Sequence, residues 1–159
     1  DYSLYNKYDF MTARKRHHFL TKNPEYKYIQ DSQKDPHINE RITQKSLALL
    51  EKQLSTIRAS ENGAKKNICS VIHMLPLAEL YPKKPIFNTT IAFMGSKHYG
   101  ELYDKYQVKL CVCAHSHQRM TLDKHQTRYV NVSLGHNFKW RYKTNLYQEL
   151  LNTIYVLNL

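Results

Sequence analysis

Apolar residues recur at helical spacing in one long segment of the first half of the chain. This spacing predicts an amphipathic helix with one face packed on a sheet. The apolar positions are Ile38, Ile42, Leu49, Leu50, Leu54 and Ile57. Asp35 and Pro36 suit the N-cap and the first helical position. Gly63 is expected to end the helix by taking a left-handed conformation.

Two short, nearly continuous apolar runs predict buried strands. Residues 68–72 and 108–113 have the pattern of strands that other elements cover on both faces. The first run is followed by His73, and the second by Ala114-His115-Ser116-His117. A helix over residues 96–106 is predicted between the two strands, after a long loop from Leu77 to Gly95.

The remaining segments predict further strands. Residues 127–133 alternate weakly after a turn around Asp123, and residues 153–157 are expected to form a final strand. This order predicts an α/β protein with a mixed β-sheet and flanking helices, parallel where helices intervene and antiparallel at the end. The 159 residues suit a single domain.

The chain is strongly basic, with 24 Lys and Arg against 13 Asp and Glu and a formal net charge of +11. Such a surface attracts polyanions and phosphorylated substrates, although the same charges also serve simply to keep a protein dissolved. The sequence contains no RNP-like motif and no zinc-finger spacing. Nucleic acid therefore remains a candidate partner, but no motif for sequence-specific recognition supports it. No apolar run approaches the ~18 residues of a membrane-spanning helix, which argues against a membrane.

Three cysteines, Cys69, Cys111 and Cys113, each lie inside an apolar run. We expect all three to be buried and reduced, with Cys111 and Cys113 on one face of a strand. Reduced thiols favour the cytoplasm.

Histidines follow two of the predicted strands, and these residues are the candidate functional groups. Ligand sites in open α/β sheets lie beyond the carboxyl ends of the strands. If the two strands are neighbours, His73, His115 and His117 converge at one edge of the sheet. Imidazole is a common ligand of transition metals, so this edge is a candidate metal site.

This order of motifs resembles the carboxy-terminal half of the calcineurin-like metallophosphoesterases. In that family one strand ends in a single metal-binding His, which His73 matches, and a later strand ends in Gly-His-x-His. His115 and His117 match that pair, with Ala114 in the place of the Gly. Residues 129–135, which include Asn131, are similar to the Asn-Pro-Gly-Ser stretch of the following strand. The resemblance covers roughly residues 65–159.

The resemblance implies a four-layer α/β/β/α sandwich and a binuclear metal centre that hydrolyses phosphate esters. It places His73 and His115 on one metal and His117 on the other. The metals would be two divalent transition metals, such as Mn, Fe or Zn. The substrate would be a phosphorylated small molecule or a phosphodiester.

The motifs that the family carries in its amino-terminal half do not appear in the same way. Gly-Asp and Gly-Asn-His are absent from the sequence, and Asp-x-His occurs only as Asp35-Pro36-His37 and Asp123-Lys124-His125. Neither occurrence follows a buried strand. We therefore expect residues 1–159 to be the carboxy-terminal portion of a single metallophosphoesterase domain. The catalytic residues would then lie upstream of Asp1, and the chain alone would be inactive without the missing half.

Two other interpretations stay open. The first is a structural zinc site that combines Cys111 or Cys113 with the histidines. The second is a non-catalytic basic module that binds nucleic acid, whose binding would fall steeply with salt and survive a chelator. For the phosphoesterase, the basic residues 14–18 and the loop from Leu77 to Gly95 are candidates for substrate approach and specificity.

Overall fold

The computed structural model describes residues 2–4, 12, 14, 15, 18, 21, 37–81, 90–141 and 145–156. The α-helices that lie wholly in this part of the chain are α1 (Ile38–Ala59), α2 (Lys97–Lys105) and α3 (Leu146–Leu151). Its four strands are β1 (Cys69–Val71), β2 (Leu110–Cys113), β3 (Arg119–Lys124) and β4 (Thr127–Val132). Short 3-10 helices occupy Gly63–Lys65, Ala78–Leu80, Thr90–Phe93 and Asn137–Lys139.

The four strands form one mixed sheet in the order β1-β2-β4-β3. β1 and β2 are parallel, as are β2 and β4, whereas β3 is antiparallel to β4. The prediction of an α/β protein with a mixed sheet and flanking helices is confirmed. Because β1, β2 and β4 all point the same way, the segments that follow them begin at one edge of the sheet.

Helix α1 packs less of its length than its periodicity predicted. Leu54 is its buried residue and belongs to the hydrophobic core, whereas Ile42 and Leu49 are exposed. Leu50 and Ile57 also pack against the core, so the predicted apolar face is covered only towards the carboxy-terminal end of the helix. His37 occupies the N-cap position, and the predicted cap residues Asp35 and Pro36 lie outside the described residues. In the part of the chain that the structure describes, no helix is long and apolar enough to cross a membrane.

The end of α1 is organised by the guanidinium of Arg58. The residue with the left-handed conformation is Asn62, at φ 55°, and not Gly63 as predicted. Gly63 is needed for a different reason, because a Cβ there would lie 2.3 Å from the carbonyl oxygen of Ile57. Arg58 donates hydrogen bonds to the backbone carbonyls of Gly63, Lys66, Tyr106 and Gln107.

Helix α2 confirms the prediction for residues 96–106. The Ser96 side chain caps it by accepting a hydrogen bond from the backbone N–H of His98 at 3.2 Å. Tyr103 is fully buried between α2 and the sheet, where its hydroxyl is 2.8 Å from Ser70 Oγ on β1. This contact fixes α2 on the face of the sheet to which Ser70 points.

Strand β1 is not covered on both faces as its apolar run predicted. It is the end strand among the four described, and its exposure alternates along Cys69, Ser70 and Val71. The side chain of Val71 is 75% exposed, and Cys69 is exposed as well, so its predicted burial was wrong. Cys111 and Cys113 are both buried free thiols, as expected.

The face of the sheet that carries Val71 has an apolar groove. In the strand register Val71 lies beside Val112, which lies beside Val130 on β4. Val132 is two residues further along β4 and is therefore on the same face of the sheet. Val71, Val112 and Val132 line a groove of about 310 Å³ together with His73. The apolar groove thus ends at one of the candidate ligands.

The carboxy-terminal elements differ from their predictions. Residues 153–156 form no strand, although their β-branched and aromatic residues favour one. A strand also needs a neighbour for its backbone, and Ile154 and Val156 are exposed to solvent instead. Asp123, predicted in a turn, lies in β3, and the turn falls at His125.

Candidate metal centre

Parallel pairing of β1 and β2 brings His73 and His115 into contact. Each residue lies two positions beyond the last residue of its strand. The Nε2 of His73 is 2.9 Å from the Nδ1 of His115, and the two rings meet edge to face with centroids 4.7 Å apart. His73 is exposed and His115 is half-buried.

The separation of these two nitrogens fits metal ligation as well as a hydrogen bond. Two imidazole nitrogens bound to one ion at ~2.0–2.1 Å are about 2.9 Å apart at right angles and about 3.4 Å apart at a tetrahedral angle. The observed 2.9 Å between His73 Nε2 and His115 Nδ1 lies at the lower of these limits. The donor chemistry and spacing of this pair therefore fit one transition metal ion.

The third predicted ligand, His117, contacts a histidine that was not predicted. Its Nδ1 is 2.9 Å from the Nε2 of His136, with ring centroids 4.3 Å apart and planes at 83°. His136 follows β4, which pairs in parallel with β2 on the side away from β1. His136 therefore lies at the same edge of the sheet as the other histidines. The position of His136 just after Gly135, four residues beyond the end of β4, was a signal that could have identified it.

The loop that carries His115 and His117 has an unusual backbone. Both residues take left-handed conformations, with φ 67° for His115 and φ 54° for His117. Such conformations cost a residue with a side chain about 1–3 kcal/mol each, and they persist where surrounding contacts hold them. Here the loop is held by hydrogen bonds to the backbone carbonyl of Ala114 and to the hydroxyl of Ser116.

The buried side chain of Asn131, on β4, makes most of those contacts. Its amide nitrogen donates to Ser116 Oγ at 2.7 Å and to the carbonyl oxygen of Ala114 at 3.2 Å. Its oxygen accepts from the backbone N–H of Ser133 at 3.1 Å and from the Ser133 hydroxyl at 2.7 Å. Asn131 thus ties the histidine loop to the segment that follows β4.

Gly135 allows that segment to approach the histidine loop closely. It has φ 74°, and a Cβ at this position would lie 3.0 Å from the carbonyl oxygen of His117. A larger residue would strain the backbone and push the loop away. Gly135 therefore helps to place His136 beside His117.

Carboxylates do not accompany these imidazoles in the described part of the chain. No group of three or more His, Cys, Asp or Glu residues there is arranged to hold a metal ion. Asp123 pairs with Arg128 at 3.6 Å and His125 with Asp104 at 3.6 Å. The strand register places Asp123 beside the amino end of β4, at the edge opposite the histidines. The motif from Asp123 to His125 therefore lies away from the candidate centre.

The other predicted groups are the cysteines, the loop from Leu77 to Gly95 and the basic residues 14–18. Cys111 is fully buried, and its hydrogen bond to Cys113, together with burial, raises the pKa of its thiol. The same contact lowers the pKa of the Cys113 thiol. Both thiols belong to the hydrophobic core, which weighs against a structural zinc site that combines either of them with the exposed His73 or His117. The loop from Leu77 to Gly95 is described only at its two ends, and the basic residues 14–18 only at Arg14, Lys15 and His18.

Protein family models, curated proteins and solved structures give no match to this chain.

Proposed function

We propose that this chain supplies histidine ligands to a two-metal centre that hydrolyses phosphate esters, as its resemblance to the calcineurin-like metallophosphoesterases implies. The observation that carries the proposal is the pair of nitrogens of His73 and His115, 2.9 Å apart at the carboxyl ends of two parallel strands. The two residues are 42 positions apart in the sequence, so the fold and not the local chain creates the pair.

In this proposal His73 and His115 hold one ion and His117 holds the second. Divalent ions such as Mn, Fe or Zn at such a centre would supply a nucleophile at neutral pH and neutralise the charge of the phosphoryl group. The reaction consumes one water and releases an alcohol and a phosphate or phosphomonoester. Asn131 keeps His115 and His117 on a loop of fixed shape.

The three imidazoles are neutral ligands, so the centre also needs carboxylates to offset the charge of two dications and to bridge them. We propose that these come from an amino-terminal half that completes the domain. The apolar groove of Val71, Val112 and Val132 supports this arrangement, because it suits a second sheet and ends at His73. The complete domain would then be a four-layer α/β/β/α sandwich.

The substrate class follows from charge and from the chemistry of the centre. A net charge of +11 supports a phosphorylated small molecule or a phosphodiester as the substrate. The free thiols of Cys69, Cys111 and Cys113 support a reducing compartment, and we place the protein in the cytoplasm on that ground.

Metal titration of single-histidine variants tests the proposal. The 159-residue chain is titrated with Co²⁺, whose absorption spectrum reports the ligands. We expect His73→Ala and His115→Ala to weaken the same binding event, because their two nitrogens are 2.9 Å apart and would share one ion. His37→Ala and His125→Ala are matched controls, since these histidines pair with Glu40 and Asp104 elsewhere in the fold.

Unchanged Co²⁺ binding in both the His73 and the His115 variants would refute the ligand roles. Binding of duplex DNA that survives a chelator and is unaffected by the same substitutions would favour the basic nucleic-acid module instead.

A further inference from the structure

We propose that a pocket beside His115 binds an uncharged aromatic group, and that this group is the alcohol part of the phosphate ester. The pocket has a volume of about 380 Å³ and is lined by the first half of α1 and by residues of the segment 92–99. His115, one of the proposed metal ligands, is among its lining residues. The assignment of the group to an ester rests on the proposed function, whereas the pocket itself does not.

One wall of the pocket is joined to the strand end that carries His73. Leu75 and Gly95 form a parallel bridge. The N–H of Leu75 donates to the carbonyl oxygen of Met94 at 2.8 Å, and the N–H of Ser96 donates to the carbonyl oxygen of Leu75 at 3.1 Å. A Cβ at Gly95 would lie 2.0 Å from the carbonyl oxygen of Leu75, so this approach requires glycine. The bridge sets the pocket against the candidate metal centre, which is where the organic part of an ester has to lie.

Contacts between separate segments hold the walls of the pocket together. The side-chain amide of Asn39, on α1, donates to the hydroxyl of Tyr2 at 3.0 Å. The ring of Tyr2 meets the ring of Phe93 edge to face, with centroids 5.4 Å apart. The hydroxyls of Ser3 and Ser96 are 3.2 Å apart. These contacts tie the start of the chain to α1 and to the end of the long loop, so the pocket is formed by the fold itself, as most small-molecule sites are.

The lining residues indicate an uncharged ligand with an aromatic ring. None of the described residues that line the pocket is Lys, Arg, Asp or Glu, although the chain has a net charge of +11. A charged group would lose its water there without gaining an opposite charge. The aromatic side chains of Tyr2, Phe93 and Tyr99 line the pocket, and aromatic rings attract one another in edge-to-face and offset arrangements. The ring of a substrate therefore belongs inside this pocket and its phosphoryl charge outside.

The same pocket accounts for the exposed apolar position in the first half of α1. Ile42 is 54% exposed, although it belongs to the apolar stripe of the helix. It lines the pocket together with Ser46, one helical turn further on. The core contacts of α1 lie nearer its carboxy-terminal end, at Leu54 and Ile57. The first half of α1 therefore forms the wall of a binding site instead of part of the core.

The first experiment compares two probes with the same ring and different charge. Dissociation constants of the 159-residue chain for 4-nitrobenzyl alcohol and 4-nitrobenzoate are measured by NMR titration without metal at about pH 8, above the ordinary pKa of imidazole. We expect the alcohol to bind about tenfold more tightly than the benzoate, because the carboxylate finds no opposite charge in the pocket. General attraction of anions to a basic chain predicts the reverse order. A benzoate that binds as tightly as the alcohol, or an alcohol that does not bind, overturns the proposal.

The second experiment locates the bound alcohol. Ser46→Phe places a ring in the pocket from an exposed position of the helix and should weaken binding of 4-nitrobenzyl alcohol about tenfold. Ala48→Phe is the matched control and should leave the affinity unchanged, because Ala48 is exposed on the same helix and does not line the pocket. Equal affinities of the two variants also overturn the proposal.

The pocket and the metal centre fail in distinguishable ways. If the chain binds no Co²⁺ while the alcohol binds and Ser46→Phe weakens it, the metal centre is wrong and the pocket stands. If the chain binds Co²⁺ through His73 and His115 while the alcohol does not bind, the pocket is wrong and the metal centre stands.

Discussion

The side-chain amide of Asn131 donates a 2.7 Å hydrogen bond to the hydroxyl of Ser116, the residue between the two histidines of the strand-end loop. Asn131 is on β4 and Ser116 follows β2, so the parallel pairing of these strands places one against the other. The conformation of the proposed ligands therefore depends on a residue that is not itself a ligand.

Replacing Asn131 should weaken both the fold and the histidine loop. Asn131→Ala removes the four hydrogen bonds of a side chain that is only 2% exposed, and leaves the Ser116 and Ser133 hydroxyls without this partner. We expect the free energy of unfolding to fall by about 2–6 kcal/mol in urea denaturation, since each of the four lost bonds costs ~0.5–1.5 kcal/mol. Co²⁺ affinity should fall as well. Asn152→Ala, at the exposed C-cap of α3, is the control and should change neither quantity.

Loss of the hydroxyl should change the free energy of unfolding differently at two buried tyrosines, Tyr103 and Tyr129. The hydroxyl of Tyr103 bonds Ser70 Oγ at 2.8 Å, whereas the hydroxyl of Tyr129 has no hydrogen-bond partner among the described residues. Tyr103→Phe should destabilise by about 1–2 kcal/mol, because Ser70 then stays buried without its partner. Tyr129→Phe should be neutral or slightly stabilising in the same denaturation. Equal losses in the two variants would contradict this account.

The apolar groove beside His73 should promote self-association of the chain. The side chain of Val71 is 75% exposed on this face, and uncovered apolar surface of this kind favours association. Val71→Lys should reduce the associated fraction in sedimentation velocity without loss of stability. Val156→Lys is a matched control, because Val156 is 73% exposed but lies in the carboxy-terminal segment. The prediction does not survive if both substitutions reduce association equally.

Residues 1–159 alone should hydrolyse no phosphate esters. The described residues bring together imidazoles without a carboxylate that could bridge two dications, so two metals are not held at the ~3.5–4 Å that such hydrolysis requires. The assay uses a chromogenic phosphomonoester and a chromogenic phosphodiester with added Mn²⁺. Metal-dependent turnover that His115→Ala abolishes would show that the chain carries a complete site.

The amino-acid sequence by itself determined the elements whose signal is local. Apolar periodicity identified α1, a short apolar run identified β2 and weak alternation identified β4. The helix predicted over residues 96–106 matches α2. These features depend on neighbours within a few residues, which is the range that a periodic pattern reports. The same local patterns placed His73, His115 and His117 at strand ends.

The tertiary structure decided what depends on distant segments. The apolar run at β1 has the same composition as a central strand, but the exposure of Val71 follows from its place at the end of the described sheet. Residues 153–156 have strand-forming side chains and no strand, because backbone hydrogen bonds need a neighbour that local propensity cannot supply. The contact of His136 with His117 joins residues 19 positions apart through the pairing of β2 with β4. No local pattern encodes such a contact, since it exists only when the two strand ends meet.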